Sequence, residues 1–94
     1  MYKRQVIDNG ASKALIEKGK SLLPVGILEI EGSFRRGDLI QCKDEDGNEI
    51  ARGLSNFSSG ELEKIKGIKT EEIKNILGYL SAEEVIHRNN LVLS

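Results

Sequence analysis

Apolar residues along this chain fall into short runs separated by glycine, and the spacing inside each run predicts its conformation. Val6-Ile7 reads as a first short strand closed by Asp8-Asn9-Gly10. Ala11, Ala14 and Leu15 then recur at i, i+3 and i+4, with the Lys18 stem at i+7. That predicts a short helix with a narrow apolar stripe, ended by Gly19. Residues 22–30 are mostly apolar and alternate toward the end, with Ile27, Glu29 and Glu31 on one side and Leu28 and Ile30 on the other. This reads as a strand. A basic turn, Phe34-Arg35-Arg36-Gly37, follows. Residues 38–43 alternate again, with Leu39 and Gln41 opposite Ile40 and Cys42. Asp44-Glu45-Asp46-Gly47 is a hairpin connection, because Asp-Gly readily takes the positive φ such turns need. Residues 49–57 form the returning strand.

The second half changes period. Ser58 and Glu61 fit a capping box at the start of a helix whose inner face is Leu62 and Ile65. Thr70 is a second N-cap candidate, with Glu71 and Glu72 well placed on the helix dipole. Ile73, Ile76, Leu77 and Leu80 recur at i, i+3, i+4 and i+7, and Gly78 is a stop ahead of Leu80. Val85-Ile86-His87 and Leu91-Val92-Leu93 are short strand candidates, with a tight positive-φ turn expected at Asn89-Asn90. The sum is an α+β domain: a mixed β pseudo-barrel of about six short strands with two to three short helices. Partial closure of the sheet limits its exposed edges.

Composition narrows the possibilities. Ninety-four residues, 38% hydrophobic and 31% charged, suit one globular domain over residues 1–94 with one core. The net charge of −1 excludes a nucleic-acid binder held by bulk charge alone. Its distribution says more. Residues 1–20 carry +3, from Lys3, Arg4, Lys13, Lys18 and Lys20 against Asp8 and Glu17, whereas residues 41–94 carry −3. The first helix and the loop after it are therefore locally basic, a pattern that suits phosphate contact and equally an ordinary solvated face. A single cysteine, Cys42, excludes an internal disulfide framework, and one histidine, His87, leaves too few soft ligands for a typical zinc centre. No run of 18 apolar residues and no signal-type stretch is present, so a reducing cytoplasmic setting is expected.

Little in the chain points to catalysis. Gly19-Lys20-Ser21 suggests a phosphate loop, but Ala14 stands where that pattern needs its first glycine, and a helix precedes it instead of a strand. Cys42 on an alternating strand reads as a small buried hydrophobe, and His87 as a strand histidine satisfied locally. Asp44, Glu45 and Asp46 lack the ligand spacing of a calcium loop and read as a solvated turn. A binding or scaffolding module is favoured over an enzyme.

Four blocks then carry a resemblance. They are residues 19–27 (GKSLLPVGI), 36–40 (RGDLI), 50–59 (IARGLSNFSS), and Leu77-Gly78-Tyr79 with residues 85–93 (VIHRNNLVL). In this order and spacing the chain resembles the PUA domain at the C-terminal end of bacterial glutamate 5-kinases. The resemblance implies a six-stranded pseudo-barrel with helices over its openings, agreeing with the pattern above. It implies a parent enzyme that phosphorylates the γ-carboxylate of glutamate, with ATP and magnesium held in a preceding amino-acid-kinase domain absent from these residues. The fragment itself would be non-catalytic and without cofactor. Its expected partners are that kinase domain, in a parent that is a homo-oligomer, and possible RNA, with no membrane. RNA-binding PUA domains use the first helix, the glycine loop after it and the last strand. The matching positions are Lys13, Lys18, Gly19, Lys20, Ser21 and Arg88. Aromatic residues for base stacking are scarce, at 4%.

Overall fold

The computed structural model describes residues 3–79 and 82–93. Asp8, expected to help close the first strand, is the N-cap of the first helix: its Oδ1 accepts the Ala11 N–H at 2.7 Å. That bond satisfies one of the donors a helix start leaves without a partner. The helix, α1 (Asn9–Lys18), ends where Gly19 turns left-handed at φ 57, and its buried residues are Ser12 and Leu15. The second helix, α2 (Ser59–Ile65), carries the complete Ser58–Glu61 capping box and buries Leu62 and Ile65, as the sequence predicts.

Five strands form one mixed sheet: β1 (Arg4–Ile7), β2 (Ile27–Glu31), β3 (Leu39–Lys43), β4 (Glu49–Leu54) and β5 (Leu91–Leu93), in the order β2-β1-β3-β4-β5. β1 runs parallel to β3, and every other neighbouring pair is antiparallel. An isolated bridge between Leu22 and Ile86 stands outside these strands. It lies just ahead of the two edge strands, β2 and β5, and so ties the approaches to both open edges together. Five strands and this bridge do the work expected of about six strands. The core is continuous through Ile7, Leu15, Ile40, Phe57, Leu62 and Ile86.

Several details differ from the sequence pattern. Only Ile27–Glu31 of the expected 22–30 strand is extended in the sheet. Pro24, which has no N–H to give a ladder, opens a 3-10 turn at Pro24–Gly26 instead. The alternation is also reset. Val6 faces Glu29 but Ile7 faces Ile27, so Leu28 is an extra residue in a bulge. Ile27 and Ile30 therefore both turn to the core side and Leu28 is exposed. β4 stops at Leu54, because Ser55 Oγ takes over the local bonding: it accepts the Phe57 N–H and donates to the Phe57 carbonyl.

Thr70 is not an N-cap. It opens a 3-10 turn, Thr70–Glu72, and α3 (Ile73–Leu77) starts after it. Ile73 is buried and Leu77 half-buried, while Ile76 is exposed, so the stripe is narrower than its spacing suggests. Gly78 ends α3 at φ 84, and Leu80 lies outside the described residues. Of Val85-Ile86-His87 only Ile86 forms a β-bridge, and no strand is built there. Asn89-Asn90 forms no positive-φ turn, since the His87 ring Nδ1 accepts the Asn89 N–H and the His87 carbonyl accepts the Asn90 N–H. These bonds wind Arg88–Asn90 into a 3-10 turn with negative φ throughout.

Glu61 holds three segments together. Its carboxylate accepts the Ser58 N–H, both arms of the Arg36 guanidinium fork and the Tyr79 hydroxyl, while Arg36 lies 5.7 Å over the Tyr79 ring. The Arg36 hydrogen bonds, helped by those from Ser58 and Tyr79, hold the Glu61 carboxyl down at about 2, against an ordinary 4.5. A depressed carboxyl stabilises the folded state above its unfolded value and loses that effect as pH falls through its folded one. Thermal melts should therefore show the midpoint falling between pH 5 and pH 2.5. Glu61→Gln should flatten much of that slope. Asp38 and Asp44, also held below the ordinary range by backbone N–H donors, account for the remainder. An unchanged slope in the variant would remove Glu61 from this role.

Candidate binding cleft

The loop after α1 is pinned at both ends. Gly19 and Lys20 donate their N–H groups to the Ala14 carbonyl, closing the helix. Leu22 then exchanges backbone bonds with Val85 and Ile86, at 2.7 Å and 3.0 Å. Between these points Ser21 Oγ accepts the Arg88 N–H at 2.8 Å. The loop and the segment leading into β5 are thus laced together by residues far apart in sequence.

Two clefts open on either side of this seam. The smaller, about 300 Å³, lies against α1 at Gly10, Ala11 and Ala14, with Leu22, Val25 and Gly26 opposite. Gly26 must lack a side chain here, because a Cβ would sit 2.6 Å from Ala11 Cβ. The larger, about 880 Å³, is lined by three cations, Lys20, Lys74 and Arg88, and three carboxylates, Glu71, Glu83 and Glu84. Ser21 and His87 also face it, and His87 Nε2 lies 3.9 Å from Glu84.

Of the residues implied by resemblance, the structure brings Lys20, Ser21 and Arg88 onto one cleft. Gly19 is the pivot beside them. Lys13 and Lys18 are exposed on α1 and line neither cleft. Sequence reasoning did not place Lys74, Glu71, Glu83 or Glu84 in the site. They arrive from α3, the turn before it and the segment before β5, and no local spacing links them to the glycine loop.

The other candidate chemistry resolves into structure. Gly19-Lys20-Ser21 follows a helix and leads into a bridge, and the Ser21 hydroxyl is bonded to Arg88, so it does not form a phosphate cradle. Cys42 is fully buried and accepts a bond from Gln5 Nε2 at 3.3 Å; burial pushes its thiol up to about 11. Asp44 Oδ1 is occupied by the N–H groups of Asp46 and Asn48.

A mixed sheet of this order, with a short helix and glycine loop beside the bridged segment, places the chain in a class of small α+β domains. The family model for the PUA domain matches residues 3–77, and the chain belongs to the PUA domain family. Among curated proteins it is similar to the glutamate 5-kinase of Dictyoglomus thermophilum, 64% identical over 87 residues, which are 93% of this chain and 24% of that protein. It is similar to the glutamate 5-kinase of Dictyoglomus turgidum at 62% over 91 residues, covering 97% of this chain and 24% of the relative. The chain thus spans about a quarter of the length of these relatives. Among solved structures it is similar to a PUA domain from Aeropyrum pernix K1 in its tartrate complex, with a TM-score of 0.66 and 25% identity over 93% of this chain and 42% of that one. A conserved PUA domain protein from Thermoplasma acidophilum gives a TM-score of 0.65 and 27% identity over 92% of this chain and 48% of that one. No helix among the described residues is long and apolar enough to cross a membrane.

Proposed function

We propose that this chain is the accessory PUA domain of a cytoplasmic glutamate 5-kinase, and that it modulates the assembly or feedback response of that enzyme without taking part in phosphoryl transfer. The observation that carries this reading is 64% identity over nearly the whole chain to about a quarter of a glutamate 5-kinase. The parent activity is ATP-dependent phosphorylation of glutamate to glutamyl 5-phosphate in proline biosynthesis. ATP and magnesium belong to the remaining three quarters of a homo-oligomeric enzyme.

The test compares full-length Dictyoglomus thermophilum enzyme with a version lacking its matched segment. Deletion should leave glutamate phosphorylation measurable while changing oligomer size, proline inhibition or magnesium dependence. All three unchanged, or glutamate turnover by the 94-residue chain alone, overturns the proposal.

A second reading, contact with structured RNA, is favoured by the convergence of Lys20, Ser21 and Arg88 on one cleft. Against it stand the three carboxylates on the same walls. Binding of tRNA that weakens steeply with salt, and that Lys20→Ala with Arg88→Ala abolishes, would establish it. Absence of binding at low salt removes it.

A further inference from the structure

Ion pairs are common elsewhere on this surface. Lys3 pairs with Asp38, Arg4 and Lys43 with Glu31, Arg36 with Glu61, Arg52 with Glu49 and Lys66 with Glu63. The larger cleft is different. Lys20, Lys74, Arg88, Glu71 and Glu83 all line it, yet none forms an ion pair among the described residues. Both signs of charge are thus presented across one concavity.

The walls that present them are held in place. The Arg88 backbone is anchored by its N–H to Ser21, and the loop carrying Lys20 by the Leu22–Ile86 bridge. A backbone already held in place loses less freedom when a partner arrives. Three lines of chemistry select that partner. A polyanion gains from the three cations but is repelled by Glu71, Glu83 and Glu84 on the same walls. A small-molecule pocket sets a few polar groups in an apolar lining, whereas most of the described residues lining this cleft, Lys20, Lys74, Arg88, Glu71, Glu83 and Glu84, carry charge. A protein surface carrying acidic and basic side chains together meets both signs at once, and such complementarity gives register and specificity. The relatives have room for such a surface, for about three quarters of their length lies outside the region matched by this chain.

We propose that the larger cleft is the seat on which the rest of the parent kinase docks, through a segment that presents acidic and basic side chains together. This rests on the accessory-domain reading above and deepens it by assigning the contact to particular residues.

The experiment uses full-length Dictyoglomus thermophilum glutamate 5-kinase carrying this chain in place of its matched segment, with the 94-residue chain alone as reference. Two charge-reversal pairs are made in both: Lys20→Glu with Arg88→Glu, and Glu71→Lys with Glu83→Lys. All four side chains are exposed, so the isolated chain should melt within about 2 °C of its unmodified midpoint in either pair, as surface substitutions do. In the full-length enzyme, calorimetry should show the domain melting at least 5 °C above the isolated chain, and each reversal should abolish that excess. Adding 0.5 M sodium chloride should reduce it, because exposed charge pairs are screened. No excess in the unmodified enzyme, or an excess that survives both reversals, overturns the proposal. So does an excess lost only with the Lys20 and Arg88 pair, accompanied by tRNA binding that the same pair removes. Deletion of the whole segment can still change oligomer size or inhibition when this test fails, which separates the two failures.

Discussion

Phe57→Ala is expected to cost about 3–5 kcal/mol, the range for emptying a fully buried aromatic site. Phe57 is 0% exposed, at the point where the chain leaves β4 for α2, and is among the largest fully buried side chains of the core. Its backbone is clamped in both directions by the Ser55 hydroxyl, at 2.6 Å and 3.2 Å. The site therefore cannot collapse by moving the main chain, and the cavity should persist. Single domains have about 5–15 kcal/mol in total, so this variant should sit near the edge of folding. Urea unfolding followed by far-ultraviolet circular dichroism is the measurement. A loss under 1 kcal/mol would show that neighbouring side chains refill the space and that Phe57 is not a keystone.

Gly53→Ala should cost up to about 3 kcal/mol through overpacking. A Cβ there would lie 2.5 Å from the Asn90 carbonyl oxygen, 2.7 Å from Ile86 Cγ2 and 3.2 Å from Leu91 Cα. Two of these three atoms are backbone, held by the Arg88–Asn90 turn and by pairing of Gly53 with Leu91. Relief requires β5 to move away from β4 and Arg88 to shift with it. The variant should therefore lower the melting temperature by on the order of 4–8 °C per kcal/mol and also disturb the cleft. Gly60→Ala is the control. Its Cβ would meet only Ser58 Oγ, at 3.9 Å, inside the first turn of α2. Alanine there should be neutral or stabilising by up to about 1 kcal/mol. Equal effects of the two substitutions would show that space, the feature distinguishing them, is not what Gly53 provides.

The two glycines show where local sequence stops being informative. Both look like punctuation in the chain, but one opens a helix and the other admits a neighbouring strand from the far end of the molecule. Signals carried within a few residues are legible: the Ser58–Glu61 box, the Gly19 stop, the Asp46-Gly47 turn and the inward alternation of Ile40 and Cys42. Features set by a distant partner are not. The Leu28 bulge exists because β1 must match β2 on one face. Asn89-Asn90 is wound by the His87 ring and carbonyl, and Leu22 is withdrawn from its expected strand by Ile86 and Pro24. The same division holds at the cleft. Lys20, Ser21 and Arg88 follow from resemblance to a family, whereas Lys74, Glu71 and Glu83 come together with them only through tertiary packing. Lys13 and Lys18 share their charge sign and sequence neighbourhood with Lys20 but lie on α1 away from both clefts.

The placement of β1 and β5 has a consequence for how the domain is made. β1, from the first residues, occupies the interior of the sheet, while β5 and the bridge at Ile86 come from the last. Long-separation pairings form slowly because loop closure precedes any reward from contact. On a ribosome, β1 to β4 can assemble early, yet the edge of β4 and the partner position of Leu22 must wait for residues 86–93 to emerge. The cleft between Lys20 and Arg88 thus takes shape only after the rest of the sheet has been synthesised, which makes its maturation a late step in the folding of these residues.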